Sequence, residues 1–141
     1  QVDFMLPQRF GLSYIGADLL EYLRELRTRL DYIAQQAQIW TVDDHEILFL
    51  PRTDPMPDEP SAGIDRYLAT IGKATTVAAL IYPDRRGSGY GLSRHNDNPL
   101  YDFTLIDKQP DVHFAHSRGF VAKTSASELT RVKELLGLAR V

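Results

Sequence analysis

The sequence predicts a mixed α+β fold with helices flanking a mainly antiparallel sheet, and three observations carry that expectation. Apolar residues recur at steps of three and four from Asp18 to Gln38 and again beyond Ser125, the spacing of two-sided helices. Between them lie short β-favouring runs separated by turn-forming residues. One run, Thr75–Tyr82, is almost continuously apolar, as a central strand covered on both faces would be.

Taken in order, residues 1–17 place Phe4, Met5, Leu6, Phe10 and Leu12 around Pro7 and Gly11 without a clear period. They predict an irregular apolar lead-in or the remnant of a linker before a single domain over residues 18–141. The long helix 18–38 puts Leu19, Leu23, Leu26, Leu30, Ile33 and Ala37 on one face, expected to turn towards a core; its near-heptad seam could also serve a homodimer. Ile39–Val42 and Ile47–Leu50 read as a hairpin around Asp43-Asp44-His45-Glu46. An acidic turn explains that cluster better than a metal site, because consecutive residues on a tight turn rarely converge on one ion. Pro51, Pro55, Pro57 and Pro60 predict an extended, exposed linker. Ser61 is placed to cap a short helix with Ile64, Leu68 and Ile71 inward and Gly72 at its end. After the central strand, Pro83–Gly89 is a turn with two adjacent arginines, and Tyr90–His95 returns as its partner. Leu100–Phe103 is a short element; Val112–Ala115 and Phe120–Ala122 are strand pieces. Ser125 and Glu128 have capping-box spacing ahead of a helix with Leu129, Val132, Leu135, Leu136 and Ala139 inward.

Composition narrows the function classes. With no cysteine in 141 residues, a disulfide frame and a thiolate metal site are both excluded, and a reducing, cytoplasmic setting is the expectation. The apolar runs are too short to span a bilayer, so no membrane partner is expected. Net charge is −3 but uneven: residues 1–70 hold 6 basic and 12 acidic groups, residues 71–141 hold 10 and 7. The positive excess belongs to the half with the unusual polar stretch, Gly87–Thr124, and suits an anionic partner.

That stretch holds three of the four histidines. Arg94 ends a predicted strand beside Ser93 and His95, where side chains project over a sheet's rim, and its planar fork matches two phosphate oxygens. His113 and His116 are spaced so that on a strand they face opposite ways, which argues against a shared metal. His116 is the preferred functional histidine because Ser117, Arg118 and Gly119 follow it, bringing a hydroxyl, a guanidinium and unhindered backbone into one bend. Which of His95, His113 and His116 faces a cleft stays open at this level.

The motifs Leu92-Ser93-Arg94, Tyr101-Asp102-Phe103 and Phe114-Ala115-His116-Ser117-Arg118-Gly119-Phe120 resemble, in order, the C-terminal DHH-associated domain of the DHH phosphoesterase superfamily, whose members include exopolyphosphatases and oligonucleotide hydrolases. The resemblance covers the last half of the chain best. It departs where His113-Phe114-Ala115 replaces the glycine run that precedes the family's histidine. It implies a substrate-binding domain in which Arg94 and His116 contact a substrate phosphate, Arg118, Ser93 and Ser117 assist, and Gly119 keeps the loop open. It also implies that manganese or magnesium sits in a separate N-terminal catalytic domain of the same polypeptide, so that this chain alone carries no catalytic residue, holds no metal and hydrolyses nothing. A first residue other than methionine and the apolar lead-in fit a C-terminal fragment. The implied ligand is a phosphorylated small molecule, polyphosphate or short oligonucleotide. The competing expectation is a non-catalytic interaction module that dimerises through helix 18–38.

Overall fold

A computed structural model describes the backbone of residues 2–57 and 59–141, and the side chains of 17–57 and 59–141. The chain runs α1 (Val2–Gln36), β1 (Gln38–Val42), β2 (His45–Phe49), α2 (Ile64–Thr70), β3 (Val77–Pro83), β4 (Tyr90–Arg94), a 3-10 turn (Phe103–Ile106), β5 (Val112–Ala115), β6 (Val121–Thr124) and α3 (Leu129–Leu138). One six-stranded sheet has the order β1-β2-β3-β4-β6-β5. Every neighbouring pair is antiparallel except β2–β3, which α2 links as a crossover. The fold is therefore the mixed α+β arrangement that the alternation of periodicities predicts, with a long N-terminal, a short middle and a C-terminal helix.

Strand alternation divides the core in two. On one face Ile47, Phe49, Ala79, Ile81, Tyr90, Leu92 and Ala122 pack with Tyr101, Phe103 and Ile106 and with Val132, Leu135, Leu136 and Ala139 of α3. On the other, Leu48, Leu50 and Leu80 pack with Ile33 of α1 and Ile64 and Leu68 of α2. The continuous apolar run of β3 follows from this, since both its faces are covered. The helices on the second face reach only β1–β3. Across β4, β6 and β5 that face carries Ser93, Val121, Lys123 and Phe114 instead, and Phe114 is 45% exposed.

Several local expectations change. The helix begins at Val2, so the segment read as irregular is helical in its backbone, and Pro7 and Gly11 are accommodated within it. The packing of Phe4, Met5, Leu6, Phe10 and Leu12 lies outside the described side chains. The apolar stripe of α1 is buried only at its end: Ile33 is sealed by α2, whereas Leu19 and Leu23 are 53% and 47% exposed, outside both core clusters of the described residues. Ile71 and Leu129 are likewise exposed rather than inward. Ser61 is not the cap of α2; Gly63, at φ 90, occupies that position. Ser125 does not cap α3 either, because its amide and hydroxyl are both spent on the Asp111 carbonyl, at 2.8 and 3.3 Å. The proline-rich segment is tethered rather than free: Arg52 Nη2 donates to the carbonyls of Asp84 (2.9 Å) and Gly89 (2.6 Å), and the Thr53 and Tyr32 hydroxyls are 2.6 Å apart. The acidic turn is a turn, with Asp43 at φ 53. Its residues diverge, since Asp43 pairs with Arg140 at 3.2 Å while His45 turns inward, its Nε2 2.6 Å from the Tyr101 hydroxyl.

Candidate functional site

β4 and the turn between β5 and β6 meet at one rim of the sheet, because β4 and β6 are neighbours and β5 returns alongside β6. The backbone N–H of Arg94 donates to the Phe120 carbonyl at 2.9 Å, and its Nη2 donates to the Arg118 carbonyl at 3.1 Å. The turn closes on itself: Gly119 N–H donates to the His116 carbonyl (2.8 Å), His116 N–H to the Val121 carbonyl (2.9 Å), and Arg118 N–H to His116 Nδ1 (3.1 Å). With Nδ1 accepting, Nε2 is the ring nitrogen left to donate. The ring stacks on Phe120 with centroids 4.1 Å apart and meets Phe114 edge-on at 6.5 Å. Arg94 is thus joined to the His116–Gly119 turn through the turn's backbone carbonyls, while the His116 ring lies against Phe114 and Phe120, and Ser117 and Arg118 are exposed.

Ser93 does not share the arginine's side of the sheet. It alternates with Leu92 and Arg94 along β4 and pairs with Leu80, so it faces the α2 side while Arg94 faces the α3 side. Gly119 has a packing reason for its identity. Its φ is 78, and a Cβ there would collide with the Asp102 carboxylate. That carboxylate accepts from the Thr104 amide (3.0 Å) and hydroxyl (2.6 Å), which hold its pKa below the ordinary carboxylate value, with a smaller contribution from the charge of Arg94. His95 is a clamp rather than a cleft residue: it is 4% exposed, Nε2 donates to the Ala74 carbonyl at 2.8 Å, and Nδ1 lies 3.4 Å from Asp65.

His113 belongs to a second cluster, at the other end of β4 and β6. A cavity of about 610 Å³ there is lined by Asp84, Arg86, Gly87–Gly89, His113, Phe114 and Lys123–Ser125. The Asp84 side chain is 7% exposed, 3.8 Å from both His113 Nε2 and Lys123 Nζ, and accepts from the Arg86 N–H at 3.2 Å. Sequence reasoning passed over this aspartate, although the signal was present: an acid at a strand end followed directly by Arg85-Arg86-Gly87-Ser88-Gly89.

Neither a protein-family model nor any curated protein matches the chain. Its chemistry is therefore read from the residues alone. Among the described residues no three His, Cys, Asp or Glu side chains are grouped as a metal ion would require. No described helix is long and apolar enough to cross a membrane.

Proposed function

We propose that this chain is a phosphate-binding domain, the substrate-holding part of a DHH-type phosphoesterase whose metals belong to a separate domain. The observation that carries the reading is the convergence of Arg94 with the His116–Gly119 turn. Among the described residues the Arg94 guanidinium makes one hydrogen bond, to the Arg118 carbonyl, and Arg118 itself is exposed. Two guanidinium groups, an imidazole proton on Nε2 and the Ser117 hydroxyl offer donors of the kind that bind phosphate oxygens and neutralise charge developing on a leaving group. In this reading the chain orients a phosphoester, polyphosphate or short oligonucleotide, and the water-activating metal is supplied from outside it.

The test is binding of pyrophosphate to the chain by calorimetry. Arg94→Ala and His116→Ala should each weaken it by about tenfold, the effect of losing one charged hydrogen bond of about 1.4 kcal/mol. Unchanged affinity in both variants overturns the reading.

A second reading has its own observation. Leu19, Leu20, Tyr22 and Leu23 are all about half exposed on α1, an apolar stretch left uncovered among the described residues. A second copy of the helix along that face would make the chain a dimerisation module.

A further inference from the structure

We propose that the cavity around Asp84 is a separate ligand site, and that it takes a nucleoside monophosphate. Asp84 supplies the first argument. Its carboxylate is more than nine-tenths buried, yet among the described residues its hydrogen bond is to the Arg86 N–H, through Oδ1. His113 Nε2 lies 3.8 Å from Oδ2, beyond hydrogen-bond range, and Lys123 Nζ is equally far from Oδ1. A buried acceptor with unspent capacity opening on a cavity calls for a donor from a ligand, a hydroxyl or an amino group.

The cations supply the second. Arg86 and Lys123 outnumber Asp84 by one charge, and Lys123 is 40% exposed, with no hydrogen bond from its ammonium among the described residues. A plain anion would meet the Asp84 carboxylate as well as these cations, and a plain amine would meet the cations. A molecule with a donor at one end and a phosphate at the other satisfies both. The wall supplies the third argument: Phe114, on the edge strand β5 and 45% exposed, lines the cavity with an aromatic ring, a partner for a planar group. A volume of about 610 Å³ lies in the range of sites for ligands of this size, about 300–1,000 Å³, and would leave a single amino acid mostly in water.

This site does not depend on the phosphate rim. Tyr90, beside the cavity, and Arg94, at the rim, are the two ends of β4, about 13 Å apart for four strand steps.

Adenosine 5′-monophosphate titrated into the isotope-labelled chain tests the assignment. Saturable amide shifts are expected at Asp84–Gly89 and Lys123–Ser125. Lys123→Met, which removes a half-exposed side chain, should weaken binding by about tenfold, and Asp84→Asn should do so too. Adenosine alone and inorganic phosphate alone should each bind at least about tenfold more weakly than the nucleotide. Arg94→Ala, at the far end of β4 and outside the cavity lining, should leave these shifts and their affinity unchanged, which separates failure here from failure at the rim. The proposal is overturned if the shifts fall elsewhere, if Lys123→Met binds as well as the parent chain, or if phosphate alone binds as tightly as the nucleotide.

Discussion

Gly119 shows how one position can serve both the fold and the proposed site. The β5–β6 turn needs a residue at φ 78, and the space where a side chain would begin is taken by the Asp102 carboxylate. Asp102 in turn caps the 3-10 turn through Thr104. Gly119→Ala must therefore adopt a disfavoured backbone and displace a cap, and should lose about 1–3 kcal/mol in urea unfolding. Gly87→Ala is the control, since a Cβ there meets nothing within 4 Å; an equal loss in both would sink the argument. From sequence, Arg94, His116 and Arg118 were legible as a group because each ends or follows a strand. The role of Gly119 was not, because a neighbour 17 positions away in the chain decides it. Asp84 was missed for a related reason: its partners His113 and Lys123 come from strands joined to it only by the sheet.

At the scale of elements, periodicity located the helices and strands, while caps and pairings escaped it. Ser125 and Glu128 have the right spacing for a capping box, but the backbone of Asp111 competes for Ser125 and wins. The parallel β2–β3 contact could not be read locally, since nothing in either strand encodes a partner beyond an intervening helix. Asp111 also anchors α3: its carboxylate accepts from Arg131 Nε and Nη2, both at 2.8 Å. The Arg131 hydrogen bonds hold this carboxyl below its ordinary value of 3.8. A carboxyl lowered by folding stabilises the native state fully above its unfolded pKa, and that contribution disappears as pH falls through the folded pKa. Thermal unfolding of the parent chain should therefore lose stability from about pH 5 downward. Asp111→Asn should remove about 1 kcal/mol at pH 7, discounted because both partners are about a quarter exposed (24% and 25%), and converge on the parent in acid. A constant gap between the two down to pH 2 would show that the ion pair is not the cause.

For the whole molecule, the uneven cover of the sheet is the organising fact. α3 spans one face, and α1 with α2 closes only the β1–β3 part of the other, so the open remainder carries Lys123 and Phe114 at its surface. The same shortfall leaves α1 projecting with Leu19, Leu20, Tyr22 and Leu23 uncovered. Helical spacing put Leu19 and Leu23 on one face with Leu26, Leu30, Ile33 and Ala37 and assigned that face to a core, but it did not pick out Leu20 or Tyr22, and spacing reports only that a face is apolar, not what covers it. If a second copy covers it, sedimentation of the chain should give a dimer whose dissociation follows concentration. Leu23→Asp should then produce a monomer with unchanged far-ultraviolet circular dichroism, because Leu23 is 47% exposed in the single chain and its loss leaves no hole there. Pyrophosphate binding by that monomer separates the two readings. Retained affinity means that the rim at Arg94 works within one chain. A monomer at all concentrations in the parent protein removes the dimer and leaves the helix face to a different partner.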